Sequence, residues 1–139
     1  MSIHNFFKKW STYLLEGSVD SKEVAKIVLY NKKGRVLFLK RTEYVEKFKN
    51  TWDLPGGHAH IGEDLLTALE REVKEETGLT FSNPKKIKKI DNITFYKAKY
   101  NKGDIKLSEE HSEFLFRNVK KIKNPSKFEN VAKLAIEND

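Results

Sequence analysis

Two rhythms of apolar and polar positions organise the chain. Val24 to Tyr30 and Val36 to Leu39 are short apolar runs rich in β-branched and aliphatic residues. Asn31-Lys32-Lys33-Gly34 lies between them as a turn signal, so the pair predicts a β-hairpin. From Glu63 to Thr77 the spacing becomes helical, and Gly78 supplies the stop. Asn83-Pro84 breaks the chain, and strand-like runs follow at Ile87 to Tyr100 and Glu113 to Val119, with a turn over Asn101 to Asp104. Ser126 to Glu137 predicts a terminal helix with Phe128, Val131, Leu134 and Ala135 on one side. The first 20 residues predict an amphipathic extension carrying Phe6, Phe7, Trp10, Tyr13 and Leu14. Core packing is its expected role, with a dimer contact or a lid over substrate as alternatives. Together these elements predict one α/β domain over residues 1–139, with a mixed sheet and a few helices.

The helix from Glu63 to Thr77 is where this pattern departs from simple burial. At 100° per residue, with Leu65 at the origin, Leu69, Val73 and Leu66 fall at about 40°, 80° and 100° and define a buried stripe. Glu76 lands inside it at about 20°, Glu72 on its edge at about 340° and Glu75 beside them at about 280°. Glu70 and Lys74 point to solvent. A carboxylate aligned with an apolar stripe is costly unless something pairs with it, and like charges one turn apart repel. Fraying at the helix end, with ion pairs to Arg71 and Lys74, is one resolution. A hard divalent cation that accepts several carboxylate oxygens is the other. Gly56, Gly57 and Gly62 lead into this helix, and a glycine-rich loop before a helix N-terminus also suits phosphate oxygens.

Charge sharpens the contrast. The chain carries +7 overall, yet Gly57 to Leu79 holds six acidic and two basic residues, leaving −4 there and +11 elsewhere. An acidic island in a basic surround suits a cation site within a field that attracts polyanions. The lysine runs Lys85-Lys86-Ile87-Lys88-Lys89 and Lys120-Lys121-Ile122-Lys123 read best as exposed faces, with an RNA backbone as the alternative partner. With no cysteine there is no disulfide or thiolate metal site. No apolar run approaches the roughly 20 residues of a membrane span, and a cytoplasmic location is expected.

Gly57, five residues, Glu63, seven residues, then Arg71-Glu72-Val73-Lys74-Glu75-Glu76-Thr77-Gly78-Leu79 resembles the complete Nudix box, with every fixed position filled. The Leu54-Pro55-Gly56-Gly57 lead-in, the hairpin ending in Lys40-Arg41 and the Glu110-His111-Ser112-Glu113-Phe114 stretch also resemble that family. The resemblance implies an α/β/α sandwich and a hydrolase of nucleoside diphosphate derivatives that uses magnesium, or manganese in its place. It implies that Glu72, Glu75, Glu76 and the Gly57 carbonyl hold the metal. Glu63 would be a further ligand or a neighbour of the ligands, and Arg71 would orient the glutamates. Glu72 and Glu113 are the candidate general bases. Arg41 at the end of the second strand, Gly56 in the loop and Tyr96 beyond the box are candidate substrate contacts. A small nucleotide is the expected partner. Removal of a 5′ cap or pyrophosphate from RNA is the alternative reaction, and nucleotide sensing without turnover is the alternative outside enzymology.

Overall fold

The computed structural model describes residues 20–43, 50–101 and 103–137; the aromatic N-terminal stretch and the middle of the polar loop after Thr42 lie outside them. Val24 to Leu29 are all buried, the signature of a strand covered on both faces. This strand, β1 (Asp20–Tyr30), lies at the centre of a mixed seven-stranded sheet. It pairs antiparallel with β2 (Val36–Arg41) at the Tyr30↔Val36 hairpin end, and with β4 (Gly56–His60) along its first half. On its other side it runs parallel to β6 (Ile93–Lys99). A two-residue strand, β3 (Trp52–Asp53), and the edge strand β7 (His111–Arg117) both pair with β2. At the far edge β5 (Lys85–Ile90) pairs with β6.

Strand alternation divides the core into two layers. Ala25, Ile27, Leu29, Leu37, Leu39, Tyr96 and Ala98 face the helix α1 (Leu65–Thr77), meeting its Leu69 and Val73. Val28, Val36, Phe38 and Phe95 face the other way, onto Val131, Ala132 and Ala135 of α2 (Lys127–Glu137). Helices therefore cover both faces, giving the α/β/α sandwich.

Helix α1 begins two residues later than Glu63. Asp64 is its N-cap, its carboxylate accepting from the Leu66 and Thr67 amides. Gly78 closes it at φ 75°, in the left-handed region. The segment after β6 satisfies its last carbonyls: Lys106 N–H donates to Thr77 O at 2.8 Å and Ser108 N–H to Glu76 O at 3.1 Å. The turn expected over Asn101 to Asp104 is thus part of a longer connection, whose Ile105 and Leu107 pack on the α1 layer.

The run from Ile87 to Tyr100, read from sequence as one strand, is two. Ile90 pairs with Ile93 across a tight turn at Asp91-Asn92, with Asp91 at φ 53°. Leu134 is also corrected: it is 38% exposed, and Ala132 takes the buried place assigned to it on α2. The expected strand at Glu113 to Val119 begins at His111, and Val119–Lys121 is a turn of 3₁₀ helix.

Candidate active site

Strand β4, between β3 and α1, brings the acidic residues of the helix to the sheet. Gly56 lies opposite Lys26 in the β1–β4 ladder with φ 135°, and a Cβ there would stand 2.1 Å from the Ala25 carbonyl oxygen. No other residue fits that backbone. The Gly56 N–H donates to Glu76 Oε1 at 2.8 Å. At Gly57 a Cβ would fall 2.7 Å from the Glu72 carboxylate carbon, so the missing side chain is what lets Glu72 lie against β4.

Arg71 gathers the remaining box carboxylates. Its Nε and Nη2 donate to Glu63 Oε2 and Oε1 at 3.0 and 2.9 Å, a bidentate pair. Nη1 donates to Glu72 at 3.0 Å and stands 3.6 Å from Glu75 Oε2, while Nη2 also reaches the His58 carbonyl. The Glu63 bonds to the guanidinium push its pKa upward against the opposing effect of burial. The same bonds hold the Glu63 carboxyl below its usual range, although partial burial works the other way.

Glu76 occupies a different environment. It is only 5% exposed, and burial raises its pKa well above the usual carboxylate value. The Lys26 ammonium opposes that rise, the Glu72 charge adds to it and the Gly56 amide opposes it. Beside it stands His111, its side chain fully buried and its Nδ1 3.9 Å from Glu76 Oε2. Burial depresses the His111 pKa to about 4, so the ring is neutral at neutral pH, and among the described residues neither ring nitrogen has a hydrogen-bond partner.

Gly56, Gly57, Glu63, Arg71, Glu72, Glu75 and Glu76 are therefore joined in one run of neighbouring contacts along β4 and α1. The oxygen donors fit a hard divalent ion, and a buried carboxylate of raised pKa beside another carboxylate is the arrangement such a cation relieves. Among the described residues no three acidic or histidine side chains already converge as a metal cage. Glu63 and Glu72 are turned to Arg71, and Glu76 to the Gly56 amide.

Other sequence candidates sit elsewhere. Glu113 pairs with Lys40 at 3.2 Å with its side chain 59% exposed, and strand alternation directs it away from the α1 face that Phe114 and Phe116 share with Leu39 and Leu37. His111, two residues earlier, is the β7 residue that approaches Glu76. Tyr96 is buried beneath α1, where burial and the Asp64 charge raise its pKa. Arg41 remains partly accessible, with Nη1 3.7 Å from Asp53 Oδ2. Trp52 packs on the α2 layer.

Lys26 and Asp53, both buried and paired at 2.9 Å, are not among the sequence candidates. The available signal was a lysine in the middle of an otherwise apolar strand.

The NUDIX domain family matches residues 20–135, and the chain belongs to that family. A stretch of 75 residues is 39% identical to an RNA pyrophosphohydrolase of Pelagibacter ubique, covering 54% of this chain and 44% of that protein. The chain thus spans less than half the length of the first curated relatives it matches. Among solved structures, a MutT protein from Methanosarcina mazei superimposes with a TM-score of 0.63 at 27% identity, over 84% of this chain and 94% of that one. An Ap4A hydrolase from C. elegans gives 0.61 at 25% identity, over 80% and 93%.

Proposed function

We propose that this chain is a divalent-metal-dependent hydrolase of the diphosphate linkage in nucleoside diphosphate derivatives. The observation that carries the reading is Glu76, buried on the Gly56 amide while the neighbouring Gly57 lies against Glu72. Glu72, Glu75, Glu76 and the Gly57 carbonyl would hold magnesium or manganese, with Glu63 close by. Bound there, the ion would neutralise diphosphate charge and acidify water. Arg71 holds Glu63, Glu72 and Glu75 through its fan of contacts, and Arg41 would meet a phosphate. Glu72 is the base for the attacking water, whose oxygen joins one phosphorus as the bridging P–O bond breaks. The products are a nucleoside monophosphate and a phosphorylated remainder. No helix among the described residues is long and apolar enough to cross a membrane.

A panel assay tests this. With magnesium, the protein should cleave at least one of the following: nucleoside triphosphates, dinucleoside polyphosphates, ADP-ribose, nucleotide sugars or 5′-triphosphorylated RNA. Chelation and Glu76→Gln should each abolish the reaction, by a factor of about 10² or more. Full activity in Glu76→Gln would refute the site. RNA is the second reading, favoured by the +11 charge outside the box and by the relative that carries the name RNA pyrophosphohydrolase.

A further inference from the structure

Lys26 is 8% exposed, in the middle of the central strand and directly opposite Gly56. Its ammonium donates to Asp53 Oδ1 at 3.0 Å, Asp53 Oδ2 at 2.9 Å and the Leu54 carbonyl at 3.1 Å, and stands 5.8 Å from the Phe128 ring centre. All three protons have acceptors. The next residue continues the hold, since Ile27 N–H donates to Pro55 O at 3.0 Å. Asp53, Leu54 and Pro55 are thus each tied to β1, and the chain emerges from them at Gly56, whose amide meets Glu76. Asp53 also faces Arg41, at 3.7 Å.

A requirement for stability alone does not account for this pair. Replacing a buried ion pair by apolar side chains of similar size is often neutral or stabilising. What apolar side chains cannot do is fix the three carbonyl and carboxylate acceptors of the turn from one atom, or hold a cation such as Arg41 from the opposite side. We infer that Lys26 and Asp53 are positioning residues for the hydrolytic site: Lys26 sets the turn that presents the Gly56 amide to Glu76, and Asp53 sets Arg41. Neither touches substrate. The inference rests on the metal-dependent hydrolase reading and adds to it two residues outside the box.

The test uses the double variant Lys26→Met/Asp53→Leu, the near-isosteric Asp53→Asn and, as control, Glu76→Gln. Manganese affinity is measured by electron paramagnetic resonance with the ion alone, alongside thermal unfolding, kcat and KM. In the double variant the unfolding temperature should hold or rise while manganese affinity and kcat fall roughly 10–100-fold. Asp53→Asn should chiefly raise KM, through Arg41, and Asp53→Glu should recover part of it. Should the double variant fail to fold, Asp53→Asn carries the test on its KM and kcat. Affinity, KM and kcat within about twofold of the parent in the folded variants, against the fall typical of residues that support a metal site, would overturn the inference. If affinity falls only in Glu76→Gln, the metal reading survives without the pair. If Glu76→Gln also leaves affinity unchanged, the metal reading fails and the pair's role with it.

Discussion

At the scale of single residues, the adjacent glycines Gly56 and Gly57 have separable duties. A Cβ on Gly56 meets backbone, the Ala25 oxygen at 2.1 Å, at a φ that side chains rarely adopt. Neither strand can yield without breaking the β1–β4 ladder. Gly56→Ala should therefore destabilise the fold by about 3 kcal/mol or more, read from denaturant midpoints. A Cβ on Gly57 instead meets the movable end of Glu72. Gly57→Ala should keep its unfolding midpoint near the parent's while displacing Glu72, so activity falls without a matching loss of stability. If the two variants lose stability equally, the contrast is wrong. The same scale shows where sequence reading reached and where it stopped. The helical wheel placed Glu76 inside the buried stripe, and there it is, because periodicity within one helix is a local property. Lys26, Asp53 and His111 were missed because their meaning comes from partners on other elements, 27 residues apart for the ion pair and 35 for His111 and Glu76 on α1.

Among the secondary-structure elements, α2 shows how one carboxylate joins a cap to a tertiary tie. Glu129 N–H donates to Ser126 Oγ while Ser126 N–H donates to Glu129 Oε1, a reciprocal capping box. The Glu129 carboxylate also pairs with Arg117 on β7, joining helix to sheet. Its pKa is lowered: burial pushes it up, but the Ser126 amide and Arg117 outweigh that. A depressed carboxyl pKa contributes stability that is present above the unfolded-state value and is lost as pH falls through the folded one. Glu129→Gln should cost about 1 kcal/mol at neutral pH, seen as a drop of a few degrees in Tm. The gap from the parent should narrow on acidification through the carboxylate range. A gap that stays constant with pH would rule out the ionised pair. Elements were legible where one period governed them, as in the β1–β2 hairpin and both helices. The β5–β6 hairpin was not, since Lys-Lys-Ile-Lys-Lys-Ile repeats every third residue and matches neither strand alternation nor a helix. A register shift between Lys86 and Lys88 reconciles it, letting Ile87 and Ile90 both pack on the α2 layer.

On the scale of the whole molecule, the distribution of charge allows an experimental test between the two proposed substrates. The acidic box lies within a chain that is otherwise +11, and β5 carries four exposed lysines along a sheet edge. Lysines on an edge strand have a role without any ligand, since they discourage edge-to-edge pairing with other chains. Lys89 is moreover paired with Glu23, which leaves Lys85, Lys86 and Lys88 as the cations that could follow a phosphate backbone. The two roles separate on salt. If β5 holds the body of an RNA, KM for a 5′-triphosphorylated oligomer should rise steeply between 50 and 200 mM salt, by roughly a factor of ten for two to three phosphate contacts. Lys85→Gln/Lys88→Gln should flatten that slope, while KM for a free nucleoside triphosphate should be insensitive to the substitutions. Equal salt slopes in parent and variant would leave β5 as edge protection alone. The substrate would then be a small nucleotide held by Arg41 and the box.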